Sequence, residues 1–310
     1  MLSRPGSRTW SIGGASGKGW TASRRSIAIS LGVGLLLAAL IVYVEQTRNY
    51  LLGDAYNYLA AAERLNAGHP LYALSPGDRA VAIQPPFWTA PFISPPFIAV
   101  LWRPLAAMPG GIGVAIWWLG SMIAILGAIL WLARRRPAAT GLAIAALCIP
   151  LAMEVGLGNV NGYLLAGAVA LWALRDRPWS GGILGVMIAV KIWPVALALW
   201  LVGQRRWEAL AWTAGSLAIC ALISLAGAGW ANHVAYLGVA AGIHPSAFSL
   251  TWQLGIPWLW AAVLVLGLVL IVVVRSRPDW SYRLAILTMI LGTPVVNPNT
   301  YAILLAAISP

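Results

Sequence analysis

Apolar runs of unequal length alternate with short clusters of arginine along this chain, and the run lengths predict its elements. The runs are 26–44, 112–133, 138–153, 162–174, 181–190, 195–203, 208–229, 257–274, 284–291 and 302–310. Between them stand Arg24-Arg25, Arg134-Arg135-Arg136, Arg175 with Arg177, Arg205-Arg206, and Arg275, Arg277 and Arg283. If every cluster stays on the cytoplasmic side, each interval between neighbouring clusters must leave that side and return. Crossing a hydrocarbon core of about 30 Å takes about 20 helical residues. Residues 26–44 reach that length and lack a small-residue cleavage site, so they read as an anchor rather than a removed signal.

The short intervals predict re-entrant hairpins. Runs 138–153 and 162–174 meet at EVGLGNVNG, each arm covering only about 20 Å. Runs 181–190 and 195–203 have arms of about 15 Å, which puts Lys191 at a turn near the membrane midplane. The alternative is one continuous helix over 181–202 that carries Arg205 to the outside. Residues 91–109, PFISPPFIAVLWRPLAAMP, cannot make two passes and read as a broken, partly re-entrant segment, tolerated at membrane depth only beside protein or a water-filled cavity. From Glu208 the chain crosses outward to Gly229. An external loop is expected over 230–256, holding His233, His244, Trp252 and Gln253. Residues 257–274 return, 284–291 rise to an outer apex at 293–301, and 302–310 are too short to span, ending within the bilayer or marking a shortened chain.

Residues 51–72, LLGDAYNYLAAAERLNAGHPLY, interrupt this pattern inside a first extracytoplasmic loop over 45–92. They hold Asp54 and Glu63, two of only eight acidic residues, with Tyr56, Tyr58, Tyr72 and His69. Gly53-Asp54 precedes a helix-like run, 55–67, closed by Gly68, so Asp54 is a good N-cap candidate. Tyr58, Leu59, Ala62 and Leu65 recur at helical spacing, which suits a helix lying along the membrane surface.

Composition then fixes the class: 60% hydrophobic and 9% charged residues, with a mean hydropathy of +0.81, exclude a soluble globule and indicate an all-α, polytopic transmembrane protein. The net charge of +12 does not indicate nucleic acid, because no soluble basic domain carries it. Residues 1–25 read as a disordered basic cytoplasmic tail and 26–310 as one transmembrane domain. Cys148, Cys220 and the three histidines lack ligand spacing, so neither metal nor cofactor is expected. Most of the eighteen tryptophans are expected as interface anchors, with Trp88 and Trp252 as candidates to stack on a sugar. Under the predicted topology Asp54, Glu63, Glu154, Asn159, Asn161, Lys191, His233, His244, Asn297, Asn299 and Tyr301 all fall in the outer half. A buried charge costs about 2.5–3.5 kcal/mol on insertion scales and marks a cavity or a partner. Lys191 is either an anion site for a lipid phosphate or a lysine that snorkels or pairs with Glu154.

The order of short motifs resembles glycosyltransferase family 87, of the GT-C superfamily. The pieces are Gly53-Asp54 with Tyr58, Gly68 and Leu71-Tyr72; Pro95-Pro96-Phe97; Gly158-Asn159 with Asn161; Gly181-Gly182 leading to Lys191 and Pro194; and Thr293-Pro294 with Tyr301. Asn159 stands where that family more often has glutamine, and the last motif lacks its usual Trp and His. The resemblance implies a GT-C type fold and inverting transfer of a sugar, most often mannose, from a polyprenyl-phosphate donor to a lipid or glycan acceptor on the extracytoplasmic face. Asp54 would then be the catalytic base and Lys191 the contact to the donor phosphate. Glu154, Asn159, Asn161, Tyr58, Tyr72, Asn297, Asn299 and Tyr301 are the candidate substrate-binding residues. The rival reading is a lipid-linked-sugar flippase, which shares a midplane lysine and broken helices but has no use for a carboxylate presented outside.

Overall fold

The computed structural model describes residues 16–47, 51–72, 82–83, 88–89, 92–242 and 245–310, with only the backbone given at 16–23, 82–83 and 88–89. The first helix, α1 (Ser16–Gln46), begins well before the apolar run. The expected disordered tail is therefore helical from Ser16 onward, and residues 1–15 lie outside the described ones. Next comes α2 (Gly53–Asn66), which buries Ala55, Tyr58, Ala61, Ala62 and Leu65 on one face. Ala82–Ile83 (β1) and Trp88–Thr89 (β2) form a two-residue antiparallel pair, a small exception to an all-helical chain.

The proline-rich stretch expected to be broken is instead a continuous helix, α3 (Pro96–Ala106). Pro95 is its N-cap and Pro96 its first residue, positions where a missing N–H costs nothing, and only Pro104 lies inside. Its 11 residues extend about 16 Å, too short to cross. A turn at Gly110-Gly111 leads into α4 (Ile112–Arg135), which ends at the arginine cluster.

Two hairpins follow in the sense the run lengths predict, and a third comes further along the chain. The first rises through α5 (Pro137–Ala146) and α6 (Cys148–Leu157), mutually bent by 72°, and returns through α7 (Asn161–Ala173). The second consists of α8 (Ser180–Val190) and α9 (Val195–Gly203), separated at Lys191, whose backbone is extended (φ −145, ψ 138). Its two feet meet: the Arg206 guanidinium donates to the Arg175 carbonyl and pairs with Asp176 at 3.3 Å. A continuous helix over 181–202 would hold these residues far apart, so the alternative topology falls.

The chain then crosses on α10 (Trp207–Ala241), broken at Gly229, whose φ of 77 and ψ of 159 favour glycine. The helix expected to cross outward does bend at Gly229, but residues 230–241 are helical, not the expected loop. His233 fills the break, one ring nitrogen 2.9 Å from the Ser224 hydroxyl and the other 2.9 Å from the Gly229 carbonyl. Short α11 (Leu250–Leu254) and then α12 (Leu259–Val273) precede the third hairpin, α13 (Pro278–Leu291) and a 3-10 helix, Pro298–Ile308. This last helix lies back along α13, with Arg283 donating to the Pro310 carbonyl at 3.1 Å.

Small residues set how closely the helices approach. Gly181 and Gly185 of α8 face Thr213 and Ser216 of α10; the Thr213 hydroxyl donates to the Gly181 carbonyl and the Ser216 hydroxyl to the Gly182 carbonyl, both at 3.0 Å. Such small-residue seams are how helices associate in lipid, where the hydrophobic effect gives no drive. Among the described residues three helical stretches are long and apolar enough to cross a membrane, Arg24–Gln46, Ile112–Arg135 and Trp207–Ala241. The fold is a multi-pass helical bundle with the arginine-rich feet of its hairpins at one end and their turns at the other.

Candidate active site

The turns of the three hairpins and the start of α2 converge on one polar cluster. The first turn is built around Gly158, left-handed at φ 63, where an added Cβ would lie 3.1 Å from the Ala55 side chain and 3.2 Å from that of Leu52. Glycine thus lets α2 sit directly on the turn. Two tryptophans of α4 hold its backbone, the Trp117 indole donating to the Gly158 carbonyl and the Trp118 indole to the Val155 carbonyl, both at 2.9 Å. Nothing in their spacing distinguished these two from interface anchors. Trp102 and Trp200, fully buried, also depart from that expectation.

Asp54 is not the N-cap of α2. That position is Leu52, itself left-handed (φ 63) and held by its amide on the Gly156 carbonyl at 2.6 Å. A non-glycine residue there costs about 1–2 kcal/mol. Asp54 lies one step inside the first turn, and its carboxylate is turned to the hairpin: Oδ2 accepts from Asn159 Nδ2 at 2.7 Å. Among the described residues Oδ1 accepts no hydrogen bond. Burial pushes the Asp54 carboxyl above the usual carboxylate range, while the Asn159 hydrogen bond and the Lys191 charge pull it down.

Lys191 enters from the second turn. Its Nζ donates to Asn161 Oδ1 at 3.0 Å and Asn159 Oδ1 at 3.3 Å and sits 4.5 Å from the centre of the Trp193 ring. An ammonium has three protons, so one remains beyond the two amides. Glu154, on α6, is fully buried. Its Oε1 accepts from the Gly162 amide at 2.7 Å, and its Oε2 from Asn161 Nδ2 at 3.2 Å and from Asn299 Nδ2 of the third turn at 2.9 Å. Asp54, Asn159, Lys191, Asn161, Glu154 and Asn299 therefore form one connected chain of hydrogen bonds across four elements.

Of the other expected site residues, Tyr58 borders the cluster, buried between Trp102 and Trp117 with its phenol against the Val160 backbone and facing Asp54 and Glu154, and the rest lie elsewhere. Tyr72 donates to the Ser94 carbonyl at 2.7 Å and packs on Phe92 and Tyr236, and Tyr301 donates to the Phe248 carbonyl at 3.1 Å. Asn297 is exposed at the third turn, Glu63 is exposed on α2, and Trp252 is exposed on α11. His244 and the Trp88 side chain are outside the described residues. Among the described residues no three His, Cys, Asp or Glu side chains gather as metal ligands.

No solved structure matches this chain. Two curated proteins match about half of it. A polyprenol-phosphate-mannose-dependent alpha-(1-2)-phosphatidylinositol pentamannoside mannosyltransferase of Mycolicibacterium smegmatis is 31% identical over 169 residues, 52% of this chain and 40% of that protein. The protein of the same name from Mycobacterium tuberculosis is 33% identical over 171 residues, 52% of this chain and 38% of that protein. The chain thus spans about two fifths of the length of the curated relatives it matches. The model of glycosyltransferase family 87 matches residues 92–298, which include Glu154, Asn159, Asn161, Lys191 and Asn297 and leave Asp54, Tyr58, Tyr72, Asn299 and Tyr301 outside. With about two thirds of its length matched, the chain belongs to glycosyltransferase family 87.

Proposed function

We propose that the protein is a membrane mannosyltransferase that uses polyprenyl-phosphate mannose as donor, takes a lipid-linked mannoside as acceptor on the extracytoplasmic face, and inverts the anomeric centre. The single observation that carries this reading is the carboxylate of Asp54, held at Oδ2 by Asn159, with Oδ1 accepting no hydrogen bond among the described residues, and joined through that amide to Lys191. The donor and acceptor classes follow the printed names of the relatives. In the transfer an acceptor hydroxyl attacks the anomeric carbon, its proton passes to Asp54, the new glycosidic bond forms, and the bond to the phosphate oxygen breaks with its electron pair leaving on polyprenyl phosphate. Charge grows on that phosphate as the bond breaks, and the remaining proton of Lys191 is a donor to meet it. Single displacement with a base opposite the leaving group inverts the centre.

Asp54→Asn tests the base. It keeps the shape and an acceptor oxygen for Asn159 but cannot take a proton, so sugar transfer by purified protein supplied with polyprenyl-phosphate mannose and a phosphatidylinositol mannoside falls by about 10²–10⁴-fold. Transfer at the unaltered rate removes Asp54 as base. Movement of the lipid-linked sugar between leaflets with no transfer would favour a flippase.

A further inference from the structure

We propose that Glu154 touches neither substrate and is a positioning residue, a buried carboxylate that sets the direction of the amides around Lys191 and through them holds Asp54. This rests on the transferase reading above. Among the described residues every hydrogen-bond partner of Glu154 is a donor: one backbone amide from the start of α7 and two side-chain amides, Asn161 and Asn299, from different hairpins. A group surrounded only by donors is matched to the ionised, acceptor-only form. Its placement over the first amides of α7 adds the favourable end of the helix dipole, and Asn159 Oδ1 caps the Asn161 amide beside it at 3.1 Å.

The consequence is directional. An amide side chain can present oxygen or nitrogen to a given neighbour, and only one choice serves a cation. With its Nδ2 drawn to Glu154, Asn161 must turn Oδ1 to Lys191. With Lys191 and the Asn161 amide both donating to its Oδ1, Asn159 must turn Nδ2 to Asp54. Two amides thus relay one lysine charge to two carboxylates, and Glu154 fixes the far end. Glu154 has no open side for a sugar, and Asn299, drawn in by it, pins the third turn to the first two. Because the cluster sets two carboxylates against one ammonium, Asp54 and Glu154 repel each other where both are ionised. The other titratable groups facing Asp54 are Lys191 and the phenols Tyr43 and Tyr58.

Glu154→Gln separates this from other roles. It preserves volume but places an NH₂ among donors and removes the charge. The expected result is a fall in kcat on the order of 10- to 100-fold with KM for polyprenyl-phosphate mannose unchanged, and an acidic limb of the kcat–pH profile moved to lower pH. The sign follows because removing a neighbouring negative charge makes Asp54 easier to ionise. A rise in KM with kcat retained would make Glu154 a substrate contact, and a loss with an unmoved pH profile would make it structural only; either overturns the proposal. If Glu154→Gln does not fold, Asn299→Ala, which keeps the carboxylate and deletes one donor, is expected to lower kcat several-fold at unchanged KM, and a raised KM overturns the proposal as well. Asp54→Asn measured in parallel distinguishes the two failures: if it is inactive while Glu154→Gln behaves as wild type, the transferase reading stands and only the positioning role is lost.

Discussion

At the scale of residues, the site is defined by the direction of two amides. Among the described residues Asn159 is the only side chain that hydrogen-bonds to both Asp54 and Lys191, donating to the first and accepting from the second. Asn159→Asp therefore makes a sharp test. It replaces a donor to Asp54 with a second negative charge, which disfavours ionisation of Asp54, so the acidic limb of the kcat–pH profile moves to higher pH and activity at neutral pH falls. If Asp54 is the base, the limb of the unaltered protein is expected above the ordinary carboxylate value, because burial is the largest influence on Asp54 and outweighs the amide and the lysine. If Asn159→Asp moves the limb downward or leaves it in place, Asp54 is not the group that titrates. Sequence spacing offered Asp54 as a helix cap, and the structure places the cap at Leu52 instead. A left-handed leucine is not something propensity predicts; the contact of α2 with the turn at Gly158 imposes it.

At the scale of elements, the positions of the hairpins depend on how closely α8 approaches α10. A Cβ at Gly185 would lie 2.5 Å from the Thr213 carbonyl oxygen, a contact with backbone that no rotamer relieves, whereas a Cβ at Gly215 meets nothing within 4 Å. Glycine to alanine normally favours a helix by about 1 kcal/mol. Gly215→Ala should therefore hold or raise the midpoint of thermal unfolding in detergent, while Gly185→Ala should lower it, at a net cost of about 1–3 kcal/mol, and reduce transfer by moving Lys191. Equal midpoints would mean that α8 and α10 can part without consequence. The hairpins themselves were legible in the sequence because charge clusters and run lengths together over-determine them: two short arms between Arg177 and Arg205 cannot reach the far side and return. The helical stretch beyond the break in α10 was less legible. Nothing in the stretch after Gly229 carries a helical stripe strong enough to outweigh its Asn232-His233 pair, and α10 continues because Asn232 and His233 both bond to carbonyls near the break. The glycine seam was present as Gly181-x-x-x-Gly185, a recognisable signal whose partner helix only the fold supplies.

At the scale of the whole molecule, the bundle is polar in two different ways at its two ends. The feet carry arginines and the turns carry carboxylates, asparagines and a lysine buried from lipid by three hairpins. That asymmetry follows from cost: arginines at helix ends reach the headgroup region, whereas a carboxylate and a lysine at membrane depth persist only inside a cluster that satisfies them. It also gives the orientation a direct test. Asn297 is exposed at the third turn and Arg205 is exposed at the foot of the second hairpin. In a background with Cys148 and Cys220 replaced by serine, Asn297→Cys should react with a membrane-impermeant maleimide added to intact cells. Arg205→Cys should react only after the membrane is opened. Asn161, though closer to the lysine, is fully buried and would report packing rather than sidedness. The reverse labelling pattern would put Asp54 and Lys191 on the cytoplasmic side. A donor presented outside would then be out of reach, and the extracytoplasmic transfer proposed for this chain would fail with it.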